Sequence, residues 1–167
     1  PKGRSLDQKS KEDVKTLING TPIKRDLLIE YLHLIQDKYR CIKKSHLAAL
    51  SDIMKIPFAE AFEVASFYAH FDVLDDNDPT PPEITIRMCD SLTCELKGSD
   101  SLLKDLQKKY HNSDKVRVLR APCMGLCDVA PACEVGHNHI KNCSMESIEN
   151  AIKKNDTHPQ IIDGISL

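Results

Sequence analysis

A helical bundle followed by an α/β domain with a small mixed sheet is the fold class this sequence predicts. Three observations carry it. Between residues 25 and 71 apolar residues recur at helical spacing. From Ile84 to Leu119 the pattern becomes strand-like alternation, then a helical stretch, then alternation again. Between these regions lies Asp75-Asp-Asn-Asp-Pro-Thr-Pro-Pro82, whose prolines push preceding residues away from helix and whose acids favour solvent. The expected organisation is a helical bundle over 1–74, a linker over 75–82, an α/β domain over 83–158 and a tail over 159–167.

In the first part, residues 1–10 are charged and expected to be flexible. Lys11 to Ile18 reads as a short helix stopped by Asn19-Gly20. Thr21 as a cap and Pro22 in a first helical turn would reopen the chain. A long helix follows over Arg25–Arg40, with Leu28, Tyr31, Leu32 and Ile35 on one face. Ser45 is placed to cap His46–Met54, whose apolar side holds Leu47, Leu50 and Ile53. A last helix is expected from Pro57 through Phe71, with Phe62, Val64, Ala65 and Tyr68 inward. The bundle then has three long helices and one short one.

In the second part, Ile84, Ile86 and Met88 alternate with Thr85 and Arg87, predicting a half-buried strand that ends at Cys89. Leu102, Leu103, Leu106 and Tyr110 predict a helix, and Val116–Leu119 a second strand. Strand, helix and strand in this order make a right-handed crossover with parallel strands. Both strands then release their loops at one edge. Ala132–Val135 and His139–Lys141 read as a hairpin around Gly136-His-Asn138, where Gly and Asn tolerate positive φ. Ser144 can cap a final helix to Lys154, and the chain after Pro159 carries no pattern.

The cysteines give this arrangement its chemistry. Cys89-Asp-Ser-Leu-Thr-Cys94 follows the first strand, and Cys123-Met-Gly-Leu-Cys127 follows the second after a spacer of 28 residues. Four thiolates on loops at one sheet edge can converge on a metal. A [2Fe–2S] cluster takes four cysteines, and structural zinc takes the same ligands, most often with two residues between paired cysteines. Gaps of four and three lie off that commonest zinc form, though they leave zinc open. Plant-type ferredoxin spacing requires a cysteine where Lys97 stands, and a Rieske centre requires two histidines, which neither pair contains. No C-x-x-C exists for thioredoxin-type redox chemistry. Gly125, inside the second pair, allows a tight backbone approach or a positive-φ turn. Cys133 is close enough to the second pair to be an alternative ligand but, like Cys41 and Cys143, reads as a small buried hydrophobe; His137 and His139 could bind metal as a pair but read as surface or packing residues.

The order C-x₄-C … C-x₃-C, with Ala121-Pro-Cys-Met-Gly-Leu-Cys-Asp-Val-Ala-Pro131 and the helical Phe62-Glu-Val-Ala-Ser-Phe-Tyr-Ala-His-Phe71, resembles one known family. It is that of the E subunits of NADH:quinone oxidoreductases, the thioredoxin-like [2Fe–2S] ferredoxins. Arg25-Asp-Leu-Leu-Ile-Glu-Tyr-Leu-His-Leu-Ile-Gln36 and Cys133-Glu-Val-Gly-His-Asn-His139 look like the version fused or bound to the flavin subunit of NAD-linked formate dehydrogenases. The resemblance covers residues 3 to 158. It implies a thioredoxin-like α/β domain and a [2Fe–2S] cluster on Cys89, Cys94, Cys123 and Cys127. It also implies work beside a flavin- and NAD-binding subunit that exchanges hydride for single electrons. A diaphorase subunit of a hydrogenase or quinone reductase, and a zinc-stabilised interaction module, are the rival readings.

Composition bounds the rest. Hydrophobic residues make up 41% of the chain and charged residues 29%, a globular profile. Apolar runs are short and residues 1–15 hold no apolar segment, so neither a membrane span nor a secretory signal is expected. Seven cysteines, an odd number, without an export signal point to reduced thiols or metal ligands in the cytoplasm. Residues 1–55 carry 12 Lys/Arg against 7 Asp/Glu, but there is no Trp and no interleaved aromatic, and nucleic-acid binding is not expected. Residues 56–100 carry 2 against 10, and Asp75, Asp76, Asp78, Asp90 and Glu95 flank the first cysteine pair in sequence. Such carboxylates can steer a basic partner and disfavour an added electron nearby. With no G-x-G-x-x-G, no phosphate-binding loop and no nucleophile elbow, the chain reads as one stage of an electron path.

Overall fold

Helix-forming stretches with one apolar face must bury that face against something, and here each does so inside its own half of the chain. The computed structural model describes residues 6–159. The chain divides into two compact units between Pro81 and Pro82. The expectations for residues 1–5 and for 160–167 lie outside the described residues.

The first unit contains α1 (Gln8–Leu17), α2 (Leu28–Tyr39), α3 (Lys44–Met54) and α4 (Phe58–Phe67). Two short strands, β1 (Ile42–Lys43) and β2 (Val73–Leu74), pair in parallel. Helix α1 begins three residues earlier than expected because Asp7 caps it, its carboxylate accepting from the Ser10 N–H at 2.8 Å and the Ser10 hydroxyl at 2.6 Å. The four helices have similar lengths, so none is the short one. Thr21-Pro22 opens no helix: a single 3₁₀ turn at Arg25–Leu27 leads into α2. The Pro22 carbonyl instead accepts the Tyr31 hydroxyl, which lets that ring sit fully buried.

Ser45 does not cap α3. The helix begins at Lys44, and the Ser45 N–H donates to Asp76 Oδ1 at 2.9 Å. The acidic stretch folds back on this helix start, with Lys43 Nζ donating to the Asp75 and Asp78 carbonyls and Lys44 pairing with Asp75 at 2.7 Å. Carboxylates at a helix N-terminus are favourably placed against its dipole. Helix α4 stops at Phe67, four residues short of the expectation. Tyr68 is extended and exposed, so it does not face inward; Ala61 and Ala65 are the buried contacts. The early stop lets the chain turn, with Phe71 N–H donating to Tyr68 O at 3.1 Å, so that Phe71 enters the core and β2 reaches β1. Buried Gln36 holds this return: its Oε1 accepts from the Asp72 N–H at 3.0 Å, and its amide donates to the Arg40 carbonyl at 3.1 Å. The core is formed by Tyr31, Leu32, Ile35, Ile42, Leu47 and Leu50.

The second unit is a four-stranded sheet ordered β4-β3-β5-β6 with three helices. Strands β3 (Ile84–Cys89) and β4 (Val116–Ala121) are parallel; β5 (Cys133–Val135) runs antiparallel to β3, and β6 (Asn138–Ile140) antiparallel to β5. The expected mixed α/β sheet is therefore present. Strand β3 is central rather than half-buried. Thr85 and Arg87 are buried as well, Thr85 accepting from Arg117 Nε at 2.8 Å and Arg87 lying 3.4 Å from Glu134 across the sheet. A buried cation with a cross-strand carboxylate satisfies the rule that buried charges are paired.

Helices α5 (Leu92–Leu96), α6 (Ser99–Tyr110) and α7 (Met145–Lys153) complete the unit; α5 was not expected, and α6 starts before Leu102. Ser144 caps α7 in a reciprocal bond with Ser147. The hairpin turn is shorter than expected. Gly136, at φ 66°, occupies its first central position, whereas Asn138 pairs with Val135 as strand and its amide donates to the Asp156 carbonyl at 3.2 Å. Among the described residues, no helix is long and apolar enough to cross a membrane.

A Cβ at Gly136 would lie 2.8 Å from both the Cβ and the carbonyl oxygen of Thr157, in a backbone conformation unfavourable to side chains. Gly136→Ala is expected to destabilise the chain by more than about 1 kcal/mol. Gly20→Ala, at φ 87° with open space around it, is expected to cost less. Urea unfolding midpoints of the two variants check the order.

Candidate metal centre

Parallel pairing places Cys89 opposite Ala121, the last residues of β3 and β4. Both strands therefore run out at one edge. Two backbone bonds fix the exit: Cys89 N–H donates to the Ala132 carbonyl at 3.2 Å and Asp90 N–H to the Ala121 carbonyl at 3.0 Å. After β3 the chain turns through Ser91 into α5, which carries Cys94 inward; after β4 it passes Pro122 to Cys123, turns at Gly125 with φ 76°, and reaches Cys127 in a 3₁₀ turn.

The four thiols share one locality. Cys123 Sγ and Cys127 Sγ are 3.6 Å apart. Cys94 interacts electrostatically with Cys89 and Cys127, and Cys123 with Cys89 and Cys127. Cys89 and Cys94 are buried with Ala132 in a small apolar cluster flanked by Met124, Leu126 and Ala130, whereas Cys123 and Cys127 are exposed. Burial pushes the Cys94 thiol up, and proximity to Cys123 pushes Cys127 up. Cys123 is lowered, first by the Gly125 N–H, which donates to its sulfur at 3.4 Å, and then by Cys127. Thiols packed together cannot all ionise beside one another unless a positive centre compensates them, which is what a bound metal supplies. Four sulfurs, with no histidine among them, fit an iron–sulfur cluster or a thiolate-bound metal.

Ser91 and Thr93 were not singled out from the sequence. Their hydroxyls act to lower the Cys123 and Cys127 thiols, though at Cys127 the neighbouring Cys123 outweighs this. The available signal was hydroxyl residues inside a C-x₄-C loop, which only the convergence makes meaningful.

The remaining candidates lie elsewhere. Cys133 is fully buried on β5, paired with Met88, in the main α/β core with Cys143; hydrogen bonding to Cys143 and burial push its thiol far up. Cys41 is buried in the first unit, and all seven cysteines are free of disulfides. His139 is exposed on β6 opposite Glu134, and the His137 N–H donates to the Thr157 carbonyl at 2.7 Å. Of the five acids flanking the first pair in sequence, Asp75 and Asp76 are engaged by the start of α3 and Asp78 by Lys43 of β1, all in the first unit. Leu92 and Leu96 of α5 stand 71% and 77% exposed beside the thiols.

A sheet edge presenting two cysteine loops makes a candidate four-thiolate metal centre on an α/β fold. The model of the thioredoxin-like [2Fe-2S] ferredoxins matches residues 14–156, and the chain belongs to that family, whose cofactor is a [2Fe–2S] cluster. This resolves the choice between iron–sulfur and zinc that spacing left open. The chain is 30% identical over 141 residues to the NADH-quinone oxidoreductase E subunit of Aquifex aeolicus (strain VF5), covering 78% of this chain and 85% of the relative. It is 24% identical over 160 residues to the protein of the same name in Rickettsia bellii (strain RML369-C), covering 90% and 93%. Among solved structures it is similar to an NAD+-reducing [NiFe]-hydrogenase in the air-oxidized state, with a TM-score of 0.59 and 23% identity. That match covers 78% of this chain but only 23% of the hydrogenase chain, and it is a likeness of fold.

In cluster-free folded protein at neutral pH, iodoacetamide is expected to modify Cys123 first, because it is exposed and its thiolate is favoured. Cys89 and Cys94 should react slowly, and Cys133 and Cys143 only on unfolding. Peptide mapping of a labelling time course checks the order.

Proposed function

We propose that Cys89, Cys94, Cys123 and Cys127 hold the [2Fe–2S] cluster and that the chain relays single electrons beside a flavin- and NAD-binding subunit of an NAD-linked oxidoreductase. The convergence of two cysteine loops at one end of a parallel strand pair supports this reading above all. The bound cluster supplies one-electron chemistry; the chain's own groups set its ease. The Gly125 N–H and the Ser91 and Thr93 hydroxyls favour negative charge on sulfur. Burial of Cys89 and Cys94, with Asp90 and Glu95 nearby in sequence, opposes an added electron. The exposed Cys123 and Cys127 form the side from which electrons enter or leave. Exposed Leu92 and Leu96 beside them favour a protein partner over a small substrate. We place this work in the cytoplasm, consistent with seven cysteines outside any disulfide.

Formate dehydrogenase is the complex we favour, on the resemblance at residues 25–36 and 133–139. The E component of a respiratory NADH dehydrogenase is the second reading, supported by the names of the relatives. Purification of the native complex, followed by NAD-linked assays with formate, quinone and hydrogen, separates them: formate-dependent NAD reduction is expected, and its absence beside quinone reduction overturns the choice.

The purified chain is expected to bind two iron and two sulfide, to bleach with dithionite, and to turn over neither NADH nor formate. Stoichiometric zinc without visible absorbance in anaerobic preparations would falsify the cluster. Serine at Cys89, Cys94, Cys123 or Cys127 should lose or destabilise the cluster and weaken the second unit, since metal binding couples to folding. Cys133→Ser should keep the visible spectrum while costing about 1–3 kcal/mol for a buried hydroxyl. Loss of the spectrum in Cys133→Ser with retention in Cys127→Ser would show the ligand set to be wrong.

A further inference from the structure

In the first unit, remote in sequence from every residue of the four-thiol site, His33, Asp37 and His70 each place one ligand atom within 4.8 Å of the others. His33 and Asp37 are four residues apart on α2 and so share one helix face. The orientation of that face is set because Tyr31, Leu32 and Ile35 of the same helix are fully buried. His70 arrives on the return after α4. The His33 and His70 ring centroids are 5.0 Å apart, and both rings meet buried Phe71 edge-on, at 4.9 and 5.5 Å.

The two elements are fastened together. Gln36, next to Asp37, accepts from the Asp72 N–H at 3.0 Å, and the Asp72 carbonyl accepts from the Ile42 N–H at 2.8 Å. A metal site needs such supporting bonds to orient its ligands. Packing of His33, His70 and Phe71 accounts for the aromatic contacts. Asp37 adds a carboxylate to the two imidazoles at the same point.

We propose that His33, Asp37 and His70 form a binding site for a divalent transition-metal ion of the zinc type. Two imidazoles and one carboxylate suit zinc, cobalt or nickel; magnesium and calcium prefer all-oxygen sets. Metal–ligand bonds of about 2.0–2.2 Å set ligand atoms roughly 3–4 Å apart, inside the 4.8 Å that encloses these three. His33 and Asp37 are exposed, which leaves a path for the ion and positions for water. The ion would tie the α4–β2 return to α2. It is redox-silent when zinc, and separate from the four cysteines in ligand chemistry.

The test uses the full chain with its cluster loaded. Zinc is titrated in competition with a chromophoric chelator, in wild type and in His33→Ala, Asp37→Asn and His70→Gln. Wild type is expected to take up one zinc per chain beyond its iron. Each variant should bind it at least about tenfold more weakly, with iron content and visible spectrum unchanged. Zinc should raise the melting temperature of wild type but not of the variants. Cobalt in the same site should show ligand-field bands without sulfur-to-metal charge transfer. Circular dichroism checks folding, and Asp37→Asn, isosteric and exposed, carries the test if a histidine variant unfolds. No zinc uptake by wild type, undiminished affinity in Asp37→Asn, or cobalt bands of thiolate type would each overturn the proposal.

Discussion

The parallel register of β3 and β4 is the constraint on which the four-thiol site depends. Six consecutive residue pairs, from Ile84 with Val116 to Cys89 with Ala121, bring the ends of two strands together although 28 residues separate the cysteine pairs. A parallel pair needs a crossover, and α5 and α6 supply it. A slip of one residue would turn Ile86 and Met88 out of the core, so burial of those side chains also enforces the alignment of the loops. Core packing and site geometry are thus one requirement in this unit.

Around the thiols, opposed influences balance. Burial of Cys94 penalises charge on its sulfur, while the Gly125 N–H favours it on exposed Cys123. If these four residues held the cluster, Cys89 and Cys94 would meet it from the apolar side and Cys123 and Cys127 from the solvent side. That asymmetry suits electron exchange: the apolar side limits access of water, and the exposed side shortens the path to a partner.

The first unit solves a different problem. Its helices bury Tyr31, Leu32, Ile35, Leu47 and Leu50, yet the chain must still leave α4, reach β2 and carry on. Gln36 makes this possible. A polar side chain, almost fully buried, it is satisfied by three partners of the return and of the α2 terminus, which removes the cost of burying it. The same clip sets His70 beside His33 and Asp37.

Local chemistry alone determined β3, the existence of β4, the Ser144 cap, the Gly136 turn and the pairing of cysteines along the chain, because alternation, capping and left-handed backbone are properties of neighbouring residues. The acidic and proline-rich stretch was equally plain from composition. Four details depended on partners far away in sequence. Asp76 displaced Ser45 at the start of α3; the demand for Phe71 in the core ended α4 early; Glu134 made burial of Arg87 tolerable; and the Asp156 carbonyl, accepting from the Asn138 amide, held Asn138 out of the turn. The meeting of Ser91 and Thr93 with the second cysteine loop, and of His33 and Asp37 with His70, belongs to the same class. Spacing along a chain reports which groups could act, but tertiary structure decides which of them share a point in space, since that depends on strand register and helix rotation set by the burial of other residues.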